Sequence, residues 1–463
     1  MDQRPSNTAA IAETAGDLQL RAATPASATI ASPLPRSRQR STRISLLLLF
    51  WVLILFDPHL WAVELGLVPL GSLPTVICAV LVLLILSPLP TRGWAPPMLC
   101  YLVFITVTMP LAVNRGSAYV PIKAMVVFCV LAVATLAWIK DYRQARPIIL
   151  MLFLGQFVWW GTLGLGHGEV DWHPNLSNYD SYGPMMVIGI GLSFYFALAT
   201  KNRRLRRFAF ATAAVCVAGV VASFARGAAL GAVAVLFYIW LRWPQKARAT
   251  LALAGAAAVV MIMASFLTQQ ARGGDSDSPQ GFWNEMSTIS KETDAANGGS
   301  SNERRMLWAT AVKVFKDYPI MGAGAGNFGP AASGLPLEAF QEWDIDNPHK
   351  LWEKALHSSY YQVLSEGGLI GCFLYLWLLA DFVRRNLALR SRRALQHWET
   401  TTGGEFDLRY LSWGLEAGMI GFLATAVFYN QLYIHWLYTL FIMNTLLHQL
   451  SRPLPATARA GAR

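Results

Sequence analysis

Twelve apolar stretches broken by polar loops constrain this chain more than any other feature. They fall at roughly 44–56, 68–87, 98–113, 119–139, 147–166, 183–199, 206–222, 227–241, 250–267, 368–383, 409–427 and 431–448. Where no water reaches, backbone amides must be bonded within their own segment, so such stretches span a bilayer as helices. A span needs about 20 residues, so the shorter stretches must extend into their flanks. Composition agrees: 54% of the 463 residues are hydrophobic and 14% charged, against about 25% charge in a soluble domain. The expected fold is an all-α polytopic membrane protein with about twelve transmembrane helices.

A net charge of +11 invites a nucleic-acid reading. Its placement argues for a lipid bilayer and no nucleic acid as the partner. With the N-terminus inside, the cytoplasmic segments hold 27 of the 38 Lys and Arg residues and the outer segments 11, as the positive-inside rule requires. The expected organisation follows. Residues 1–43, rich in Ala, Ser, Thr and Pro and ending in Arg36, Arg38, Arg40 and Arg43, form a disordered cytoplasmic tail. That basic run comes too late to head a signal peptide. Spans 1–9 occupy 44–267, a large outer loop 268–367, spans 10–12 368–448 and a cytoplasmic tail 449–463. Cys78, Cys100, Cys129, Cys216 and Cys372 lie in or beside apolar stretches with no CxxC spacing, which offers neither a disulfide framework nor a zinc site.

The outer loop carries the chemistry. Its first part, 268–299, is Gly, Ser and Asp rich and reads as mobile. Ser300-Ser301-Asn302-Glu303 fits a capping box. Leu307, Trp308, Ala311, Val312, Val314 and Phe315 then share one helical face opposite Lys313, Lys316 and Asp317. That pattern predicts an amphipathic helix in the interface plane, ended by Pro319. Gly322 to Gly326 follows as a flexible turn. A second helix is expected from Asn347 as cap and Pro348 at its first position, through His357 to Glu366, broken by Gly367-Gly368 before the tenth span.

Arg304 sits in the first turn of the first loop helix, where the dipole is positive and a cation is unfavourable. That placement points to a bound anion, with a solvated or headgroup-paired arginine as the alternative. Its neighbour Arg305 points elsewhere and is the weaker candidate. Arg226, in SFARGAALG, lies between two apolar stretches. A charge near membrane depth points to function; snorkelling to headgroups is the alternative. Gly227, Ala228, Ala229 and Gly231 would let helices crowd around it. On the expected helix, His357 has Glu353 one turn before it and Tyr361 one turn after. It could take a proton from an attacking hydroxyl, or be structural. Trp352, Tyr360 and Tyr361 suit a sugar-binding cleft. Glu353 could orient the imidazole; Glu366 could serve instead, or satisfy local backbone.

Other features have blander readings. Gly322 to Gly326 resembles a phosphate loop but lacks a preceding strand and a following GK[ST]. Asp344-Ile345-Asp346 is formally a D-x-D, better read as a solvated loop. His167, Glu169, Asp171 and His173 alternate after the fifth span and could hold a metal. Tyr179 and Asp180 of Asn178-Tyr179-Asp180 could line the same outer cavity.

Three motifs carry a resemblance: R-x-x-x-W (Arg304 to Trp308), D-x-P-x-x-G-x-G-x-G-x-F (Asp317 to Phe328) and H-S-x-Y-x-x-x-L-x-E-x-G-x-x-G (His357 to Gly371). In this order they resemble the O-antigen ligase and polymerase superfamily, specifically over about 225–383. Arg226 stands in A-R-G-A where the family usually has S-R-x-A, and His357-Ser358 where many members have His-Asn. The resemblance implies a GT-C-like glycosyltransferase of the bacterial inner membrane with its site facing the periplasm. The donor would be an undecaprenyl-pyrophosphate-linked glycan and the acceptor lipid A-core. Polymerases of the family extend the lipid-linked chain, and related enzymes glycosylate proteins. Arg226 and Arg304 would hold the donor pyrophosphate and stabilise the leaving charge. His357 would activate the acceptor hydroxyl. Arg305, Glu353, Tyr360, Tyr361, Trp308 and Glu366 would contact substrate. No cofactor or metal is implied. A twelve-span transporter is the competing class, but the chain shows no half-to-half similarity and gathers its polar residues in one loop.

Overall fold

The computed structural model describes residues 36–60, 73–86, 95–173, 176–177, 179–248, 250–251, 255, 300–341, 343 and 347–452. The expectations for residues 1–35, most of the ninth apolar stretch, 268–299, Asp344, Asp346, the side chains of Asn178, Tyr179 and Asp180, and 453–463 lie outside the described residues. No strand occurs among the described residues.

The helices are α1 (Arg36–Phe56), α2 (Leu73–Leu86), α3 (Pro96–Thr108), α4 (Arg115–Trp138), α5 (Tyr142–Leu150), α6 (Gln156–Gly164), α7 (Tyr179–Ala199), α8 (Arg203–Ala222) and α9 (Arg226–Arg242). After these come α10 (Ser300–Asp317), α11 (Phe328–Ser333), α12 (Ser359–Ala388), α13 (Arg392–Thr402), α14 (Leu408–Thr425) and α15 (His435–Leu450). One π-turn, Met151–Gly155, joins α5 to α6. Five segments among the described residues are long and apolar enough to cross a membrane: Arg115–Trp138, Tyr142–Gly164, Ser181–Ala199, Arg203–Ala222 and Ser359–Ala388. The chain is an all-α, multi-pass membrane protein. α1 begins at Arg36, so the basic run expected in the tail belongs to the helix's first turns. Arginine is a good helix former.

α7 is the axis of the bundle, with 89% of its apolar window buried. Its glycines let neighbours approach closely, as small residues do in membrane bundles. A Cβ on Gly191 would stand 2.6 Å from Ala417 of α14, and one on Gly189 would meet Cys216 of α8 at the same distance.

The helices run alternately, which gives the bundle two chemically different ends. One end is basic and ion-paired. Arg146 of α5 and Tyr142 hold Glu405, before α14, at 2.8 and 2.6 Å, and Arg242 and Arg390 both pair with Glu416. The other end gathers the C-terminus of α1, the α3–α4 turn, the loop after α6, the start of α9, the segment 318–358 and the connection from α14 to α15.

At that second end, residues 300–361 build a small core of their own. Met306, Leu307, Ala311 and Val314 of α10 bury against Phe328, Ala331, Ala332, Phe340, Leu351 and Leu356. The apolar face of α10, expected to rest on the membrane interface, therefore packs on protein. Nearby loop segments supply apolar side chains that compete successfully with the interface for that face. Glu303 pairs with Lys354 at 2.7 Å, tying α10 to the chain before His357; the side chain of Ser300, the other half of the expected capping box, lies outside the described residues.

Candidate functional site

The glycine turn organises this end. Gly322, Gly324 and Gly326 have φ of 73°, 101° and 67°, values that side-chain-bearing residues rarely adopt. A Cβ on Gly322 would lie 2.3 Å from the Glu366 carbonyl, so the turn lies backbone to backbone against α12. Ala323 and Gly324 donate to the carbonyls of Ser365 and Glu366, and Leu369 and Ile370 donate to those of Pro319 and Ile320. Gly368, with φ 59° and ψ −157°, makes the kink that these bonds bridge. The helix expected to break at Gly367-Gly368 thus kinks and continues. Buried Asn327 joins the turn to the start of α4 by accepting from the Asn114 amide. The role of this stretch is close packing, and no phosphate loop is formed.

The second loop helix differs from expectation. Asn347 does cap, accepting from the His349 amide, but the turn it starts is only Pro348–Leu351. His357 is not helical. It stands before α12 at φ 52°, a left-handed conformation that costs a non-glycine residue about 1–3 kcal/mol and persists only where surroundings enforce it. Glu353 lies in an exposed turn, so it does not share a helix face with His357 or Tyr361. The local reason is the pair Ser358-Ser359. Ser358, at the N-cap position of α12, donates its amide to Asn430 Oδ1 at 3.1 Å. Ser359 donates its hydroxyl to the Tyr429 carbonyl and accepts from the Gln431 amide, both at 2.8 Å. Its own amide donates to Ala426. Bonds outward to segment 426–431 replace those that would have carried a helix back through His357.

Arg226 is the first residue of α9, whose N-terminus receives no side-chain cap. The preceding Phe224 has φ 49°. Among the described residues only Asp57, Phe224 and His357 are non-glycine residues with positive φ, and two of these three frame the candidate site. Gly227, next to Arg226, faces Tyr429 and Phe428 so closely that a Cβ would lie 2.7 and 2.9 Å from them. The segment that holds the His357 turn therefore also abuts the arginine-bearing helix start.

Arg304 reaches this end from α10, half-buried, while Arg305 is exposed. One turn on, Trp308 stacks on Tyr361 of α12, with centroids 5.3 Å apart and planes at 19°. That stack sets the Arg304 face of α10 beside the first turn of α12. Tyr360 is partly exposed and donates to the Leu423 carbonyl at 2.8 Å. Glu366 is buried and accepts from the Gly326 amide at 2.8 Å and the Tyr433 hydroxyl at 3.1 Å. His173 is buried against Asp57 at 3.0 Å and edge-on to Trp160, while His167 and Asp171 are exposed. The alternating residues after the fifth span therefore do not converge, and no group of three metal-ligating side chains occurs among the described residues.

Segment 426–433 supports the site but carries no motif; it straddles the end of the 409–427 stretch and the start of the 431–448 stretch, and its Tyr-Asn-Gln-Leu-Tyr run is unusually polar for such a place.

The arrangement offers two guanidinium groups and one imidazole at one end of a helical bundle, beside aromatic side chains. Such a site can neutralise a polyanion and move one proton. Residues 211–376 match the family model Wzy_C, described as O-antigen ligase. The matched segment contains Arg226, Arg304 and His357. No curated protein matches the chain.

Proposed function

We propose, on the match of residues 211–376 to the O-antigen ligase family model, that this chain belongs to that superfamily and is an inner-membrane O-antigen ligase. It passes a glycan from undecaprenyl pyrophosphate to a sugar hydroxyl of lipid A-core. The acceptor hydroxyl attacks the anomeric carbon of the donor sugar as the bond to the pyrophosphate oxygen breaks. His357 takes the hydroxyl proton. Arg226 and Arg304 hold the pyrophosphate and neutralise the charge it gains on leaving, as paired planar cations do best. Two arginines make a divalent ion unnecessary. The site faces the periplasm, where the donor must be lipid-linked because nucleotide sugars are not available there.

The observation that carries this reading is the shared seat of Arg226 and His357. Segment 426–431 bonds the Ser358-Ser359 pair and packs against Gly227, so residues far apart in sequence meet at one support. The test is a membrane assay with lipid-linked O-antigen, offering lipid A-core, lipid-linked repeat unit or protein as acceptor. Transfer to lipid A-core that survives chelation is expected. Transfer only to the lipid-linked repeat would make the protein a polymerase, and loss in EDTA rescued by a divalent ion would overturn the metal-free mechanism.

A further inference from the structure

Beside the His357 turn lies a cavity of about 260 Å³. Its walls come from the glycine turn, the stretch 352–356, α12 and Asn430; Arg226 and Arg304 do not line it. The volume falls just below the roughly 300 Å³ at which pockets for drug-sized ligands begin, which suits a single sugar ring. Gln362 of α12 is 8% exposed and lines this cavity. Its Nε2 lies 3.4 Å from both oxygens of Glu366. A carboxylate facing an amide selects the NH2 end, so Gln362 Oε1 is turned away from it. That oxygen is buried and has no hydrogen-bond partner among the described residues. Gln362 and Glu366 both line the cavity, so the amide end that Glu366 holds is the polar group offered at its wall. Asn430 adds a polar group beside the seat of Ser358, and Trp352, 45% exposed, adds an aromatic surface. Few placed polar groups with an aromatic wall are how sugars and other small ligands are oriented.

We propose that this cavity is the acceptor subsite. It takes the terminal sugar ring of the acceptor, and the Gln362 amide nitrogen, with its second N–H, donates a hydrogen bond to one ring oxygen while a hydroxyl is set toward His357. Glu366 is the positioning residue, because it fixes which end of the Gln362 amide meets the ring. The assignment rests on the glycan-transfer reading and adds where the acceptor sits, apart from the arginines that hold the donor.

The test measures initial rates with the full-length protein in membranes, varying acceptor and lipid-linked donor separately. Gln362→Met keeps the length of the side chain and removes the amide. Its KM for acceptor should rise about five- to tenfold, the effect of one hydrogen bond, while its KM for donor holds. Ala355→Trp fills the cavity from its exposed wall and should raise the acceptor KM at least as much; it decides the matter if Gln362→Met fails to fold. Wild-type acceptor KM in Ala355→Trp, or donor and acceptor KM moving together in both variants, would overturn the subsite. A wild-type protein that transfers glycan only to protein would also overturn it, since no sugar ring is then bound. A wild-type protein that transfers no glycan to any acceptor would sink the underlying reading, and the subsite with it.

Discussion

A Cβ placed on Gly227 would stand 2.7 Å from the Tyr429 hydroxyl. This contact joins the arginine-bearing start of α9 to the segment on which Ser358 and Ser359 are bonded. The arginine and the histidine are thus registered through a third piece of chain that carries neither.

Gly227→Ala should therefore cost at least tenfold in transfer activity although it changes no candidate catalytic side chain. The added methyl must push the start of α9 away from Tyr429, and misplacement of about 1 Å can cost on the order of 100-fold. Gly166→Ala, at a position with nothing within 4 Å, should behave as wild type. Full complementation by Gly227→Ala would show that the contact does not register the site.

Arg226→Ala and Arg304→Ala should each abolish transfer, and lysine at either position should restore little. Lysine keeps the charge but lacks the planar fork that grips phosphate oxygens. Wild-type turnover in either lysine variant would remove bidentate pyrophosphate binding from the mechanism.

At position 357 the backbone and the side chain can be tested apart. His357→Ala and His357→Gly should both lose about 10²–10⁴ in rate, the usual contribution of a general base. Glycine tolerates the φ of 52° found there, whereas alanine does not. His357→Gly should therefore melt above His357→Ala, with wild-type donor binding in both. Normal turnover in either variant would refute the role of the imidazole.

The opposite end of the bundle should show a pH effect of known sign. Burial pushes the Glu405 carboxyl up, but hydrogen bonds from Arg146 and Tyr142 outweigh it and hold the group below its usual range. The unfolded value is about 4.3. The stabilisation is thus fully present above that pH and is lost as pH falls through the lower folded value. The pair is partly exposed, so Glu405→Gln should cost only about 0.2–1 kcal/mol at pH 7. Thermal unfolding in detergent should show the gap between variant and wild type closing below about pH 4; a gap that widens there would contradict the assignment.

Topology is open to labelling. In a cysteine-free background, a cysteine at Asp277 should react with an impermeant reagent in cells whose inner membrane is intact, as the 27 to 11 partition of basic residues requires. Labelling only after that membrane is breached would invert the orientation.

The helical membrane fold was legible because hydropathy is a local property: a long apolar run must satisfy its own amides, whatever surrounds it. The arginines, the histidine and the glycine turn were legible too, as residue types that are costly or unusual where they stand. The conformation of His357 was not. Its helix-like pattern of neighbours was overridden by bonds from Ser358 and Ser359 to residues some seventy positions away. The same holds for the apolar face of α10, whose periodicity said that it would be buried but not against what. Only tertiary structure chose the loop's own core over the interface, and only it placed Gln362 in a cavity wall. Periodicity and composition report what each segment must bury or bond; the partner is decided by contacts distant in sequence, which no local pattern encodes.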